Sequence, residues 1–228
     1  MLPLFFSGSI PLIFVLIVLF QKVAWRRDLK KQARSYFQEG AWLKFALCLA
    51  GLDLAAAIST NLLDRVSPFF SYVASIFLMS MISYGTIDVL RRVRRGQDFD
   101  LKDFLPTDQL SKVAGLYFVR GLYLFLWGLL LVIPGVIKTY SYSQAMFILN
   151  DHPEIGIDEA ITRSRAMMDG HKWELFVLQV SFLGWAILGA LTVGVAFVYI
   201  LPLYTMSMAV FYEYVKKSYS LANPFNND

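Results

Sequence analysis

The chain has 228 residues, of which 57% are hydrophobic and 17% charged, and its mean hydropathy is +0.54. Soluble domains contain about 45–50% apolar and about 25% charged residues, so this composition is typical of a membrane protein. The apolar residues suffice for roughly six bilayer crossings of about 20 residues each, and they leave no room for a separate soluble catalytic domain.

The single cysteine, Cys48, excludes an intrachain disulfide framework and a cysteine-based metal site. The formal net charge of +4 could indicate binding to nucleic acid. The basic residues, however, flank the hydrophobic segments, so we expect no nucleic acid and instead an anionic lipid surface as their partner.

The chain begins with an apolar stretch, residues 2–23, that is followed rather than preceded by basic residues. A cleavable signal peptide has the opposite order. We therefore interpret residues 1–24 as an uncleaved N-terminal anchor with its N-terminus outside; the alternative is a start codon assigned too early. Either interpretation places the basic segment that follows in the cytoplasm.

Residues 25–37 have the pattern of a basic amphipathic helix that ends at Gly40. Trp25, Leu29 and Ala33 recur at helical spacing and cations occupy much of the remaining surface, which is typical of a helix that lies in the membrane interface. Two similar junctions, residues 34–45 and 165–176, each carry a tryptophan at headgroup level. Their similarity is either chance or an internal repeat about an axis along the membrane normal. The predicted membrane-interface residues are Trp25, Arg26, Arg27, Lys30, Lys31, Arg34, Trp42 and Trp173.

Six apolar segments predict three helical hairpins in one membrane domain, residues 25–217, before a polar tail at 218–228. The segments are 42–62, 68–90, 113–133, 136–149 and a long run, 173–214, that a turn at 191–194 divides in two. Pro134 and Gly135 are predicted to break the helix between the third and fourth segments. The polar segment 150–172 predicts a short helix, with Asp158 early, Arg165 late and Gly170 at its end.

The basic residues predict the orientation, because 18 of the 21 lie in segments on one side of this layout. The positive-inside rule places that side, together with the C-terminus, in the cytoplasm. The sequence thus predicts an all-α, polytopic helical protein of the cell membrane, with six core transmembrane helices, an N-terminal anchor and cytoplasmic interfacial helices.

Several short motifs occur in a fixed order along the chain from about Arg26 to the C-terminus. They are 29–33; Ile133, Pro134, Gly135, Lys138, Tyr140 and Ser141; Glu159, Ala160, Ile161 and Ser164; 170–174; 182–185; 188–194; Pro202; and Phe211 with Tyr212. With these motifs the chain resembles a bacterial integral-membrane family known as domain of unknown function 975, which is common in Gram-positive organisms. This family is similar to the membrane domain attached to some glycerophosphodiester phosphodiesterases. The resemblance implies the architecture but no activity.

Two candidate ligand-binding regions lie in the predicted crossings. Asp53 and Arg120 fall at similar depths, so they predict either a proton or ion station or a structural salt bridge. Lys138, Tyr140 and Ser141 follow the predicted break, where freed backbone groups build sites in transporters. The alternative for this region is an ordinary re-entrant turn, with Lys138 reaching the outer headgroups.

The remaining clusters give weaker signals. Asp98, Asp100 and Asp103 could bind a divalent cation, but nearby arginines compete for their carboxylates, so a solvated loop is the favoured interpretation. His171 and Glu174 lack a second ligand pair, which favours a role at the helix junction. We predict no metal site, no cofactor and no catalytic set.

These patterns predict a non-enzymatic accessory or scaffold component of the cell envelope, which binds anionic lipids and a membrane-protein partner. The alternative is a small transporter or channel that uses Asp53, Arg120 and Lys138. A lipid-handling module is a third hypothesis, which rests on analogy with the phosphodiesterase-attached domain.

Overall fold

The computed structural model describes residues 25–37, 41–105, 109–130, 132–192 and 196–222, and these residues form helices and no strands. Residues 25–35 form α1. The helices that follow are α2 (Ala41–Asp64), α3 (Pro68–Arg94), α4 (Leu110–Leu130), α5 (Val132–Ser141), α6 (Ala145–Asp151), α7 (Ile157–Met167), α8 (Lys172–Val180), α9 (Leu183–Leu191) and α10 (Phe197–Ala222), with a 3₁₀ turn at Leu101–Phe104. The all-α prediction is therefore confirmed. The predicted anchor, Gly40 and the end of the C-terminal tail lie outside the described residues.

The α2–α3 hairpin confirms the first two predicted helical segments. The two helices have 24 and 27 residues, about 36 and 40 Å, and a short turn at Arg65 and Val66 connects them. Ser71 of α3 donates a hydrogen bond to the carbonyl of Thr60 in α2, which holds the helices in antiparallel register. These are the two described helices that are long and apolar enough to cross a membrane.

The fourth segment differs from its prediction, because it consists of two short helices, α5 and α6, separated by a turn at residues 142–144. Helix α4 ends at Leu130 and α5 begins at Val132, so Pro134 and Gly135 lie within α5 and do not form the break. Both lie in the first turn of α5, where proline removes no intrahelical hydrogen bond. A Cβ at Gly135 would lie 3.2 Å from the Cα of Gly128, so this small residue lets α5 pack closely on α4.

The long run 173–214 contains one more break than predicted. Helix α9 ends at Leu191 and α10 begins at Phe197, as expected from the predicted division, but α8 and α9 are themselves separated at Ser181 and Phe182. The short helix predicted in the polar segment 150–172 is confirmed as α7, with Asp158 in its first turn, Arg165 in its last and Gly170 beyond it at φ +78°. A positive φ favours glycine because it has no Cβ.

The core is concentrated around the C-terminal half of α3. Large side chains there are fully buried, among them Phe45, Leu90, Phe104 and Phe211. Gly85 lies against the 3₁₀ turn so closely that a Cβ would come 2.0 Å from the carbonyl oxygen of Phe104. By contrast, the far end of the α2–α3 hairpin exposes large apolar side chains, including Leu54, Phe69, Phe70 and Tyr72.

Candidate functional site

The carboxylate of Asp151 joins three helices at the buried end of α3. Its Oδ1 accepts a hydrogen bond from Nη2 of Arg91 in α3 at 2.5 Å. Its Oδ2 accepts from Nζ of Lys216 at 2.5 Å and from the hydroxyl of Tyr212 at 2.8 Å, both in α10. The sequence positions these groups because Asp151 ends α6, and Tyr212 and Lys216 lie four residues apart on one face of α10. A single carboxylate thus fixes the relative positions of α3, α6 and α10.

The charge state of Asp151 follows from its surroundings. Burial by itself would raise the pKa of this carboxyl, but hydrogen bonds from Lys216 and Tyr212 and the charges of Lys216 and Arg91 outweigh that effect. The pKa of Asp151 is therefore lowered, and the group is ionised at neutral pH.

The other cations at the end of α3 are also placed by ion pairs. Nη2 of Arg94 lies 2.7 Å from Oε1 of Glu213 in α10. Arg92 contacts Asp88 at 3.2 Å and Asp103 of the 3₁₀ turn at 3.6 Å. Arg91, Arg92 and Arg94 of the basic run 91–95, which the sequence indicates as an orientation signal, therefore also have a structural role.

A cavity of about 370 Å³ adjoins the Asp151 cluster. We call it the basic cavity, because four cationic side chains and two carboxylates line it. The lining residues are Ile87, Arg91, Arg94, Arg95, Phe147, Asn150, Asp151, His152, Ala209, Tyr212, Glu213 and Lys216. Its volume lies within the range of about 300–1,000 Å³ typical of ligand sites.

A second cavity of about 440 Å³ lies between α1 and α10, on the other side of the Arg94–Glu213 ion pair. Asp28, Arg94, Glu213 and Lys217 contribute its charged groups, so its charges balance. Of these two cavities, only the basic cavity therefore has an excess of positive charge.

The structure does not bring together Asp53, Arg120 and Lys138, the residues on which the transport hypothesis depends. Arg120 lines a cavity of about 190 Å³ with Tyr117, Gly121 and Leu124, whereas Lys138 lines a different one, and Asp53 lines neither. Within the described part of the chain, no ion pair joins Asp53 to Arg120.

Lys138 lies against α7 rather than near the outer end of the fold. It shares a cavity of about 330 Å³ with Asp158 and Arg165, and its Nζ lies 4.5 Å from the ring centroid of Trp127. Helix α5 begins at Val132, two residues before Pro134, so Lys138 lies about 9 Å along a helix and not just after a break.

Tyr140 and Ser141 contribute to helix packing. The ring of Tyr140 contacts that of Phe176, with centroids 6.1 Å apart. The hydroxyl of Ser164 in α7 donates to the carbonyl of Ser141 at 2.8 Å and accepts from the backbone N–H of Gln144 at 3.2 Å. The backbone groups freed by the α5–α6 break are thus satisfied by a side chain of α7, which the sequence pattern alone does not indicate.

The predicted interface residues of α1 divide into two groups. Trp25 packs against Phe211 and Tyr214, and Lys30 lies over the ring of Phe182 and donates to the carbonyl of Ser181. Burial and the charges of Arg26 and Arg34 lower the pKa of Lys30. Side chains on the other face, Arg27, Lys31 and Arg34, are exposed.

The two tryptophans of the predicted junctions differ in their surroundings. Trp42 is half-buried, with its ring 5.9 Å from that of Tyr199, whereas Trp173 is 57% exposed. Only the second therefore presents most of its surface to an external medium.

The remaining clusters have protein partners. Asp98 and Asp100 contact Lys44 at 2.8 and 3.7 Å, and the hydrogen bond from Lys44 lowers the pKa of Asp98. His171 contacts Glu174 at 2.8 Å. Among the described residues, no group of three or more histidine, cysteine or carboxylate side chains could hold a metal ion.

Sequence reasoning missed Asp151, Tyr212, Glu213 and Lys216 as one cluster. A partial signal was available, since Asp151 and Glu213 are acidic residues directly beside apolar helical runs and Glu213 lies three residues before Lys216. Their partners lie 60 to 119 residues away in sequence, however, so no local pattern connects them.

The family model described as "Protein of unknown function (DUF975)" matches residues 119–219. This part of the chain is therefore similar to the DUF975 family. The resemblance inferred from the sequence is confirmed over this range. The DUF975 match includes Asp151, Tyr212 and Lys216, but it begins after the α2–α3 hairpin, which contributes Arg91. No curated protein and no solved structure matches the chain.

Proposed function

We propose that the chain is a multi-pass protein of the bacterial cell membrane and a non-enzymatic accessory or scaffold component of the envelope. In this proposal the α2–α3 hairpin crosses the bilayer. The α4/α5–α6 and α8–α9/α10 hairpins complete six crossings, and the C-terminus is cytoplasmic. The cytoplasmic face binds anionic lipid, and the bundle binds a membrane-protein partner.

The observation that carries the proposal is the exposed apolar end of the α2–α3 hairpin. Only 22% of the most apolar window of α2 and 44% of that of α3 are buried inside the molecule. The core helix of a soluble protein would be mostly buried. A hydrophobic hairpin of this length is stable in water only when its surface is covered, and the hydrocarbon of a bilayer, about 30 Å thick, matches the length of both helices.

The charges at the two ends of the hairpin support its orientation. The outer turn holds Asp64 and Arg65, whereas the opposite end of α3 carries four arginines in residues 91–95. Exposed Arg27, Lys31 and Arg34 of α1 add cations that an anionic leaflet attracts, by about 1 kcal/mol for each residue close to the surface.

Cysteine accessibility tests this topology. In a Cys48→Ala background, Val66→Cys reports on the exposed turn and Gln97→Cys on the exposed loop after α3. We expect a membrane-impermeant maleimide to label the first variant in intact cells and the second only after lysis. Release of the protein by alkaline carbonate, or labelling of neither variant in intact cells, would contradict the proposed crossing.

Purification in mild detergent, followed by identification of co-purifying proteins and lipids, tests the scaffold. We expect a defined membrane protein to co-purify and the lipids to be enriched in anionic species. The Arg27→Gln/Lys31→Gln double variant should lower that enrichment, whereas Arg65→Gln at the outer turn, the control, should not. Equal enrichment of anionic lipids in all three proteins would contradict a lipid-binding role of α1. If no protein co-purifies, the scaffold hypothesis is wrong.

A further inference from the structure

The basic cavity has more positive charge than its own carboxylates can balance. Arg91, Arg94, Arg95 and Lys216 line it, against Asp151 and Glu213, which leaves an excess of two positive charges. The pKa of Asp151 is lowered, so its carboxylate is ionised at neutral pH and is counted as one of the two negative charges. A cavity lined by an excess of positive charge attracts an anion.

The cations keep hydrogen-bond donors that no carboxylate uses. A guanidinium has five N–H donors and an ammonium three. Nη2 of Arg94 contacts Glu213, and Nζ of Lys216 contacts Asp151, so each of these groups has further N–H bonds to offer. Arg95 lines the cavity without an ion pair to any described residue. Arginine and lysine clusters of this kind bind phosphate oxygens through charge-assisted hydrogen bonds.

We propose that the basic cavity binds a phosphate group through Arg94, Arg95 and Lys216. The other cavities fit this ligand less well, since the one at α1 is charge-balanced and the one at Lys138 has a single excess positive charge.

Two sources could supply the phosphate, namely a lipid headgroup or a free phosphate. Arg94 and Arg95 lie at the end of α3 that the proposed topology places at the cytoplasmic headgroup level. The lipid source therefore rests on the proposed function, whereas the anion site itself depends only on the geometry of the cavity. Failure of the topology experiment would leave the phosphate measurement valid.

The test uses the full chain purified in a neutral detergent. Thermal unfolding is followed with phosphatidylglycerol, with phosphatidylcholine and with inorganic phosphate, because a ligand that binds only the folded state raises Tm. We expect phosphatidylglycerol to raise Tm and phosphatidylcholine not to. If inorganic phosphate raises Tm instead, the site holds free phosphate.

Arg95→Gln is the informative variant, because this exposed side chain supports no ion pair within the described structure and its loss should leave the fold intact. We expect it to weaken binding about threefold or more, from the loss of a charged hydrogen bond. Arg65→Gln makes the same change at the opposite end of the hairpin and should bind like the unmodified protein. If none of the anions raises Tm, or if the two variants bind equally well, the proposed site is wrong.

Discussion

Replacement of Asp151 by asparagine tests whether one carboxylate holds α3, α6 and α10 together. The substitution keeps the shape of the side chain but removes the negative charge that Arg91 and Lys216 contact. The side chain of Asp151 is 17% exposed and that of Arg91 24%, so their contact is largely shielded from water. Lys216, at 41%, is screened to a greater extent.

The magnitude follows from these exposures. Loss of the charged contact to Arg91 should cost about 2 kcal/mol, and loss of the contact to Lys216 up to about 1 kcal/mol after allowance for solvent screening. The hydroxyl of Tyr212 can still donate to the amide oxygen of asparagine. Together these changes predict a loss of about 2–3 kcal/mol, which corresponds to a fall in Tm of about 4–12 °C for a chain of this size.

The assay is thermal unfolding of the detergent-purified protein, monitored by tryptophan fluorescence. Asp98→Asn is the matched control, because Asp98 is 85% exposed and its carboxylate contacts the single cation Lys44. That control should leave Tm nearly unchanged. A fall in Tm for Asp151→Asn no larger than for the control would refute the reasoning.

The pH dependence gives a second test of the same residue. Since the folded state lowers the pKa of Asp151, its contribution to stability is fully present above the ordinary carboxyl value of about 3.9. The contribution is lost as the pH falls through the lowered value. The difference in Tm between the unmodified protein and Asp151→Asn should therefore stay constant from pH 7 to pH 5 and shrink below about pH 4. A difference that shrinks already between pH 7 and pH 5 would contradict the assignment.

Three further substitutions follow from the packing. Gly85→Ala should sharply reduce Tm and accumulation, because the added Cβ would lie 2.0 Å from the backbone oxygen of Phe104. Gly51→Ala is the control and should change neither quantity, because no atom lies within 4 Å of a Cβ at that position. Equal effects of the two substitutions would contradict the described packing of Gly85. Gly170→Ala should lower Tm by about 2–4 °C, the equivalent of about 1 kcal/mol, because φ is +78° at this position; an unchanged Tm would argue against that backbone conformation. Ser164→Ala should cost about 1–3 kcal/mol in unfolding free energy, since it leaves two backbone groups at the α5–α6 break unsatisfied, and an unchanged value would mean that other groups satisfy them.

The sequence predicted elements whose signals are local. The apolar runs of α2 and α3 and the turn between them are visible in composition alone, and the structure confirms them within a few residues. The charge order of α7 and the glycine after it are likewise local signals. Each depends on residues that are neighbours in one helix, so no knowledge of the rest of the chain is needed.

The breaks at residues 142–144 and at Ser181 could not be predicted in the same way. Apolar composition does not reveal an interruption whose freed backbone groups are satisfied by another helix, as Ser164 of α7 satisfies those between α5 and α6. Lys138, predicted near the outer end, instead shares a cavity with Asp158 and Arg165 of α7, because α5 begins before Pro134 and not after Gly135.

The amino-acid sequence alone determined that the chain is helical and apolar, where its longest hairpin lies, and that most of its cations cluster between the apolar segments. Only the tertiary structure decided which charges meet. Arg91 and Asp151 are 60 residues apart and Arg94 and Glu213 are 119 apart, so their contacts depend on how α3, α6 and α10 pack. The physical reason is that helix formation depends on neighbours within a few residues, whereas an ion pair depends on distance in space. The basic cavity therefore exists only in the folded chain.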